Sequence, residues 1–389
     1  MKIDTRTIPS LKDCVHCGLC LPECPTYHVT GREAESPRGR IAALRGVMEG
    51  RSAISAAIHD GLESCLVCRA CESACPSGIS MENLMSSYRQ QTKIEDRDFA
   101  ARIESWLLRE VISQPRRLDA SLSLLRVFAP ILRLFRGTED LPDQKRLGQQ
   151  VLVPERVEPT GKPRGLVSLL RGCVADRWFR TETYLAAHLL AKAGWSVQIP
   201  AAGCCGALHH HAGLTQDGKA HAAKRWQEVA GEDIDYLVVD SAGCGSHLLG
   251  TRSAAGPEVI DTVTLLAREG GFVAEKTVPG RWAVAMPCHQ QHSDLDSDSG
   301  LSLLESCIEE RVDLEGPDHC CGAAGMYMMR RRELSRKIGD VAADRFKKTA
   351  ADGLISGNPG CLLRWEGLLG SQRVQHPIRI LAEAALIEP

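Results

Sequence analysis

The chain carries almost no excess charge: 47 Lys and Arg stand against 49 Asp and Glu in 389 residues, a formal net charge of −2. That balance excludes nucleic-acid binding through bulk positive charge. No run of 18 or more apolar residues occurs, so no segment reads as bilayer-spanning. The polar opening Met1-Lys2-Ile3-Asp4-Thr5-Arg6 does not read as a secretory signal. A cytoplasmic location, or a peripheral one on the inner face of the cell membrane, is therefore expected. Also missing are a Gly-x-Gly-x-x-Gly run after a strand, a P-loop and a nucleophile elbow. A chain without that equipment has no evident means of taking a hydride from a substrate, so no catalytic residue is assigned and substrate oxidation is expected on a partner. Its length calls for two or three domains, and 43% hydrophobic residues suffice to build their cores.

Cysteine, by contrast, is abundant, with 17 copies. Disulfide frameworks belong to small exported domains, so the spacings were read for metal ligation. Cys14-Val-His-Cys17-Gly-Leu-Cys20-Leu-Pro-Glu-Cys24-Pro25 and Cys65-Leu-Val-Cys68-Arg-Ala-Cys71-Glu-Ser-Ala-Cys75-Pro76 both fit C-x-x-C-x-x-C-x-x-x-C-P, the pattern of two-cluster ferredoxins. Three thiolates wrap one 4Fe–4S cube, and the Pro after the fourth turns the chain so that this sulfur reaches the other cube. The expected ligand sets are Cys14, Cys17, Cys20 and Cys75 for one cluster, and Cys65, Cys68, Cys71 and Cys24 for the other. A pair of zinc sites would leave the duplicated trailing Cys-Pro unexplained.

The insert between the runs reads as helical, with Pro37 in a first helical turn. It resembles the α-helical ferredoxin domain of succinate dehydrogenase iron–sulfur subunits. Arg38 and Arg40 either offset the negative charge of a thiolate-ligated cluster or form a solvated basic helix start. Residues 96–162 read as a helical linker. Within it, the apolar stretch from Leu122 to Arg136 reads as a connecting helix pair kinked at Pro130, with a membrane-surface or partner-gripping segment as the alternative.

The remainder is an internal repeat. Cys173, Cys204, Cys205 and Cys244 recur as Cys288, Cys320, Cys321 and Cys361, with Cys173, Cys204 and Cys244 displaced by 115, 116 and 117 residues. Apolar strand-like runs at 166–170, 236–240, 282–286 and 353–356 precede the outer cysteines, and helical patterns at 183–192 and 331–347 lie between. Such alternation implies parallel sheets whose ligands collect at the carboxyl ends of the strands. Each module thus gathers four thiols, with Gly206 or Gly322 allowing close backbone approach. They suit a further iron–sulfur centre or a zinc ion better than a redox dithiol. Cys307 reads as a buried small hydrophobe, and His209-His210-His211 as a surface loop.

Two helical-ferredoxin motifs followed by two Cys…Cys-Cys-Gly…Cys modules resemble the iron–sulfur subunit of bacterial glycolate oxidase. The modules themselves are also found in heterodisulfide reductase, lactate-utilisation and anaerobic glycerol-3-phosphate dehydrogenase subunits. The resemblance implies an α-helical ferredoxin domain (residues 1–95), the linker, and two α/β modules (163–280 and 281–389). It further implies an FAD-binding 2-hydroxy-acid oxidase partner, an electron path towards a quinone or membrane acceptor, and no nucleic-acid partner. Heterodisulfide reductase modules close with C-x-x-C, whereas here the closing positions are His247 and Arg364. That departure weighs against one alternative function, a thiol–disulfide reductase; an electron-transfer subunit for lactate or glycerol-3-phosphate oxidation is the other alternative. His247 reads as a polar loop residue or a substitute ligand, and His289 and His319 as neighbours that orient ligands.

Overall fold

Short helices, rather than a hairpin, connect the two N-terminal cysteine runs. The computed structural model describes residues 4, 8, 11–92, 99–132, 151–231, 233–296, 298–316 and 320–389. Ser36 caps the helix Pro37–Met48 by accepting from the Gly39 N–H at 2.9 Å, and Pro37 takes the first helical position, where its missing N–H costs nothing. That helix turns Ile41 and Leu44 inward, Ala56–Glu63 contributes Leu62, and Met81–Gln91 contributes Leu84, Met85 and Tyr88. Cys65 lies in the same core, so the chain holds this thiol by packing before any metal is considered. Each fully buried Leu contributes roughly 1.5–3 kcal/mol to that support.

A single helix, Pro115–Leu132, runs through Pro130 rather than breaking into the expected kinked pair. The rest of that apolar stretch, residues 133–136, lies outside the described residues.

The repeat folds as two sheets of the same design. The first contains β1 (Arg156–Val157), β2 (Gly165–Leu169), β3 (Trp195–Gln198), β4 (Tyr236–Val238) and β5 (Glu258–Ile260), in the order β1-β3-β2-β4-β5. The second contains β6 (Val278–Val284), β7 (Ile308–Val312), β8 (Gly353–Ile355) and β9 (Val374–Gln375), in the order β7-β6-β8-β9. Its strands are all parallel, as are β2 to β5; β1 alone pairs antiparallel, at the edge. The first sheet therefore begins inside the stretch read as linker. Helices Arg180–Lys192 and Arg332–Lys348 occupy the positions their patterns implied.

The modules are not separate beads. The C-terminal helix Pro377–Ala384 follows β9, yet it packs on Arg180–Lys192, and Arg379 Nε pairs with buried Glu182 at 2.6 Å. One apolar core accordingly joins Val167, Leu169 and Leu189 to Ile355, Ile378 and Leu381. Cys307 sits fully buried in this core and donates to the Leu303 carbonyl at 3.3 Å, as a small hydrophobe does.

Candidate metal centres

The two ferredoxin runs adopt one backbone design twice. His16 and Gly18 have φ of 56° and 87°, and their counterparts Val67 and Arg69 have 55° and 69°. Left-handed conformations at Val67 and Arg69 are costly without a glycine and mark loops bent for a purpose. The turns that follow also match: Cys24 N–H donates to the Leu21 carbonyl at 3.2 Å, and Cys75 N–H to that of Glu72 at 3.0 Å.

The loops then interlace. Cys14, Cys17, Cys20, Cys71 and Cys75 line one cavity. Cys24 leaves its own run and lies with Cys65 and Cys71 about the side chain of Arg40. Arg40 is 1% exposed; it donates to Gly61 O, Thr26 Oγ1 and Ser64 Oγ, each at 2.9 Å, and its Nη1 stands 3.8 Å from Cys24 Sγ. Burial alone would lower this guanidinium's pKa, but the negative character of Cys65 and Cys24 outweighs it and the net shift is upward. Cys71 is pushed well up, by burial first and then by Cys65 and Cys24. Of the two arginines, Arg40 thus offsets sulfur charge. Arg38 forms a surface ion pair with Glu33 at 2.8 Å, while its backbone N–H is directed at Cys20.

In the first module, Cys173, Cys204, Cys205 and Cys244 come together. The Cys173 and Cys204 thiols are close enough to shift each other's pKa, and Cys205 Sγ lies 3.0 Å from Cys244 Sγ. These contacts hold Cys204 well below the ordinary thiol range, with His209 adding to the effect, and push Cys173 well above it. Gly206 follows the pair with φ of 95°, and a Cβ there would lie 2.2 Å from the Gly218 carbonyl. In the second module Gly322 has φ of 78°, and its Cβ would meet Ser335 O at 2.6 Å. The close approach these glycines permit is to the following helix, which anchors each paired-cysteine loop.

The second module divides its thiols. Cys321 and Cys361 lie together in one core, while Cys288 and Cys320 pack with Leu66, Cys68 and Ala70 of the ferredoxin domain. Asn358 links the modules: its Nδ2 donates to Cys361 Sγ at 3.3 Å, and its Oδ1 accepts from Ser241 Oγ and Gly243 N–H, both at 3.3 Å.

Neither closing position behaves as a fifth ligand. His247 Nε2 meets the Gly218 carbonyl at 3.4 Å, and burial lowers its pKa to about 4. Arg364 is buried and donates to Ser335 O at 3.2 Å. His289 Nδ1 lies 3.5 Å from Cys288 Sγ, beside the thiol as expected. His319 lies outside the described residues. The His209–His211 run is not a surface loop: it forms the helix Ala207–His211, with His209 fully buried, because Gly206 turns the chain inward beneath helix Thr215–Glu228.

Sequence reasoning did not find the residues that join the domains. Arg89, buried on the helix Met81–Gln91, donates to Cys65 O at 2.7 Å and His211 O at 2.8 Å. Tyr327 Oη donates to Ser64 O at 3.0 Å, and Arg330 pairs with Glu63. No helix among the described residues is long and apolar enough to cross a membrane.

The sequence profile of 4Fe-4S dicluster domains matches residues 10–79, and that of a cysteine-rich domain matches twice, at 167–249 and 282–365. The chain is 30% identical to the probable glycolate oxidase iron-sulfur subunit of Bacillus subtilis, over 96% of this chain and 94% of that one. Its identity to the glycolate oxidase iron-sulfur subunit of Escherichia coli is 28%, over 96% and 94%. Lactate utilization protein A of Geobacillus thermodenitrificans matches at 26% over 57% of this chain and 98% of its own. With interlaced dicluster motifs and a duplicated cysteine-rich module along one chain, the protein belongs to the family of glycolate oxidase iron–sulfur subunits and is an iron–sulfur electron-transfer subunit.

Proposed function

We propose that one 4Fe–4S cluster is held by Cys14, Cys17, Cys20 and Cys75 and a second by Cys65, Cys68, Cys71 and Cys24. In this reading the chain carries electrons from a flavin-bearing glycolate (2-hydroxy-acid) dehydrogenase subunit towards a quinone or other membrane acceptor. The observation that carries the reading is the place of Cys24, out of its own run and beside Cys65 and Cys71 at a buried guanidinium. Such donors suit an anionic iron–sulfur group. When bound, the clusters supply single-electron steps between a two-electron flavin and its acceptor.

The protein's own residues set the conditions. Leu62, Leu84, Met85 and Tyr88 exclude water behind Cys65, Arg40 supplies compensating charge, and the left-handed residues at 16, 18, 67 and 69 bend each loop for three thiolates. Cys288, Cys320, Cys321 and Cys361 offer a further iron–sulfur site, and the packing of Cys288 and Cys320 near Cys68 supports placing it next along the path. The chain would then work in the cytoplasm or at the inner face of the cell membrane.

Co-purification tests the reading: native chain isolated from its source is expected with a flavoprotein, and recovery of the chain alone contradicts it. The close Cys205–Cys244 contact is the one feature favouring a thiol–disulfide reductase. Turnover of a small disulfide by the isolated reduced protein would support that second reading.

A further inference from the structure

The two modules share a fold but not their histidines. In the first, Cys204 Sγ and the ring nitrogens of His209 and His221 all lie within 4.8 Å of one another. His209 Nδ1 is 3.9 Å from Cys204 Sγ, and the His209 and His221 rings are 4.7 Å apart, centroid to centroid. Cys173 lies close enough to Cys204 for the two thiols to shift each other's pKa in opposite directions. The residues 116 positions onward, the spacing from Cys204 to Cys320, are Gly325 and Lys337. The second module cannot make this arrangement.

A second observation concerns the interior. His209 is 0% exposed, and its Nε2 has no hydrogen-bond partner among the described residues. An unpaired polar group buried in this way costs about 1–3 kcal/mol, so packing alone does not account for a histidine at this place, and its other nitrogen, Nδ1, is the one that faces Cys204. The ring sits on the helix Ala207–His211, which Gly206 holds against Gly218, so its place is fixed by the backbone.

We propose that the first module binds one zinc(II) ion through Cys173, Cys204, His209 and His221. Two thiolates and two imidazoles are a tetrahedral donor set that suits zinc, with ligand atoms then roughly 3.3–3.8 Å apart. The Cys204–His209 separation of 3.9 Å lies just above that range. Binding displaces the thiol protons of Cys173 and Cys204 to solvent and involves no electron transfer. Cys205 and Cys244 stay outside the ion's ligand set, paired with each other. The ion fixes the paired-cysteine loop of one repeat as structure and leaves electron transfer to the other. This inference refines the proposed function, because it removes one of the two modules from the electron path.

The test is metal analysis with zinc-edge X-ray absorption on the full chain, purified anaerobically. One zinc per chain with two sulfur and two imidazole neighbours is expected. H209A/H221A should lose at least nine-tenths of that zinc while the reduced-cluster EPR signals of the ferredoxin domain persist. Zinc retained by the double variant, iron at this position, or an all-sulfur shell in the unaltered chain overturns the proposal. Should the double variant fail to fold, the spectrum of the unaltered chain still decides. Absent ferredoxin signals alongside an intact zinc site would instead overturn the proposed function and leave this inference standing.

Discussion

The guanidinium of Arg40 stands 3.8 Å from the sulfur of Cys24, a residue sixteen positions earlier, with both side chains buried. The contact explains why a basic residue in the insert is needed where sequence alone left two candidates. Removing the positive charge in R40M should lower the reduction potential of the cluster at Cys65, Cys68, Cys71 and Cys24 by on the order of 100 mV, from a unit charge at an effective dielectric near 20. The three hydrogen bonds lost to Gly61, Thr26 and Ser64 should together cost about 3 kcal/mol of stability. Redox titration followed by EPR checks the first effect and denaturant unfolding the second.

Interlaced ligation makes a crossed expectation for single substitutions. C24S, in the first run, should abolish or convert the cluster of the second run; C75S should do the reverse. Comparing the EPR spectra of the two variants checks this, since uncrossed ligation would exchange the lost signals.

Two buried polar contacts at the domain junction should be measurable singly. Tyr327 Oη donates to the Ser64 carbonyl, and Y327F should cost roughly 1–3 kcal/mol by leaving that acceptor unpaired. R330A strips one buried partner from Glu63, which keeps Arg89 at 3.6 Å, and should cost about 1–3 kcal/mol. Both should leave the cluster signals in place while lowering the unfolding midpoint.

Asp240, at the carboxyl end of β4, lines the apolar cavity between the modules, and burial lifts its pKa to about 7. A carboxyl raised in the folded state binds a proton that the unfolded chain releases near pH 3.9. Stability from this group is therefore full below that pH and is lost as pH rises towards 7. Between pH 5 and pH 8 the unaltered chain should lose roughly 2–3 kcal/mol more than D240N, read as urea midpoints at the two pH values.

The sequence disclosed local patterns better than long-range placement. Cys-Pro spacing identified both ferredoxin runs, and the duplicated cysteines announced two sheets that share one strand order. Alternating apolar runs located β2, β4, β6 and β8 to within a few residues because buried parallel strands leave little else in their place. The burial of His209 was not legible: a triplet of histidines looks solvated until Gly206 turns it under a helix. Nor could spacing show that Asn358 of one module bonds Ser241 of the other, or that the last helix crosses to the first module, since both depend on how the sheets face each other.

Stepwise anaerobic reduction of the full chain, followed by iron analysis and EPR, addresses the central claim most directly. The account expects brown protein carrying about eight irons in the ferredoxin domain and two one-electron signals broadened by mutual spin coupling. Colourless, iron-free protein, or zinc alone at these eight cysteines, would contradict it.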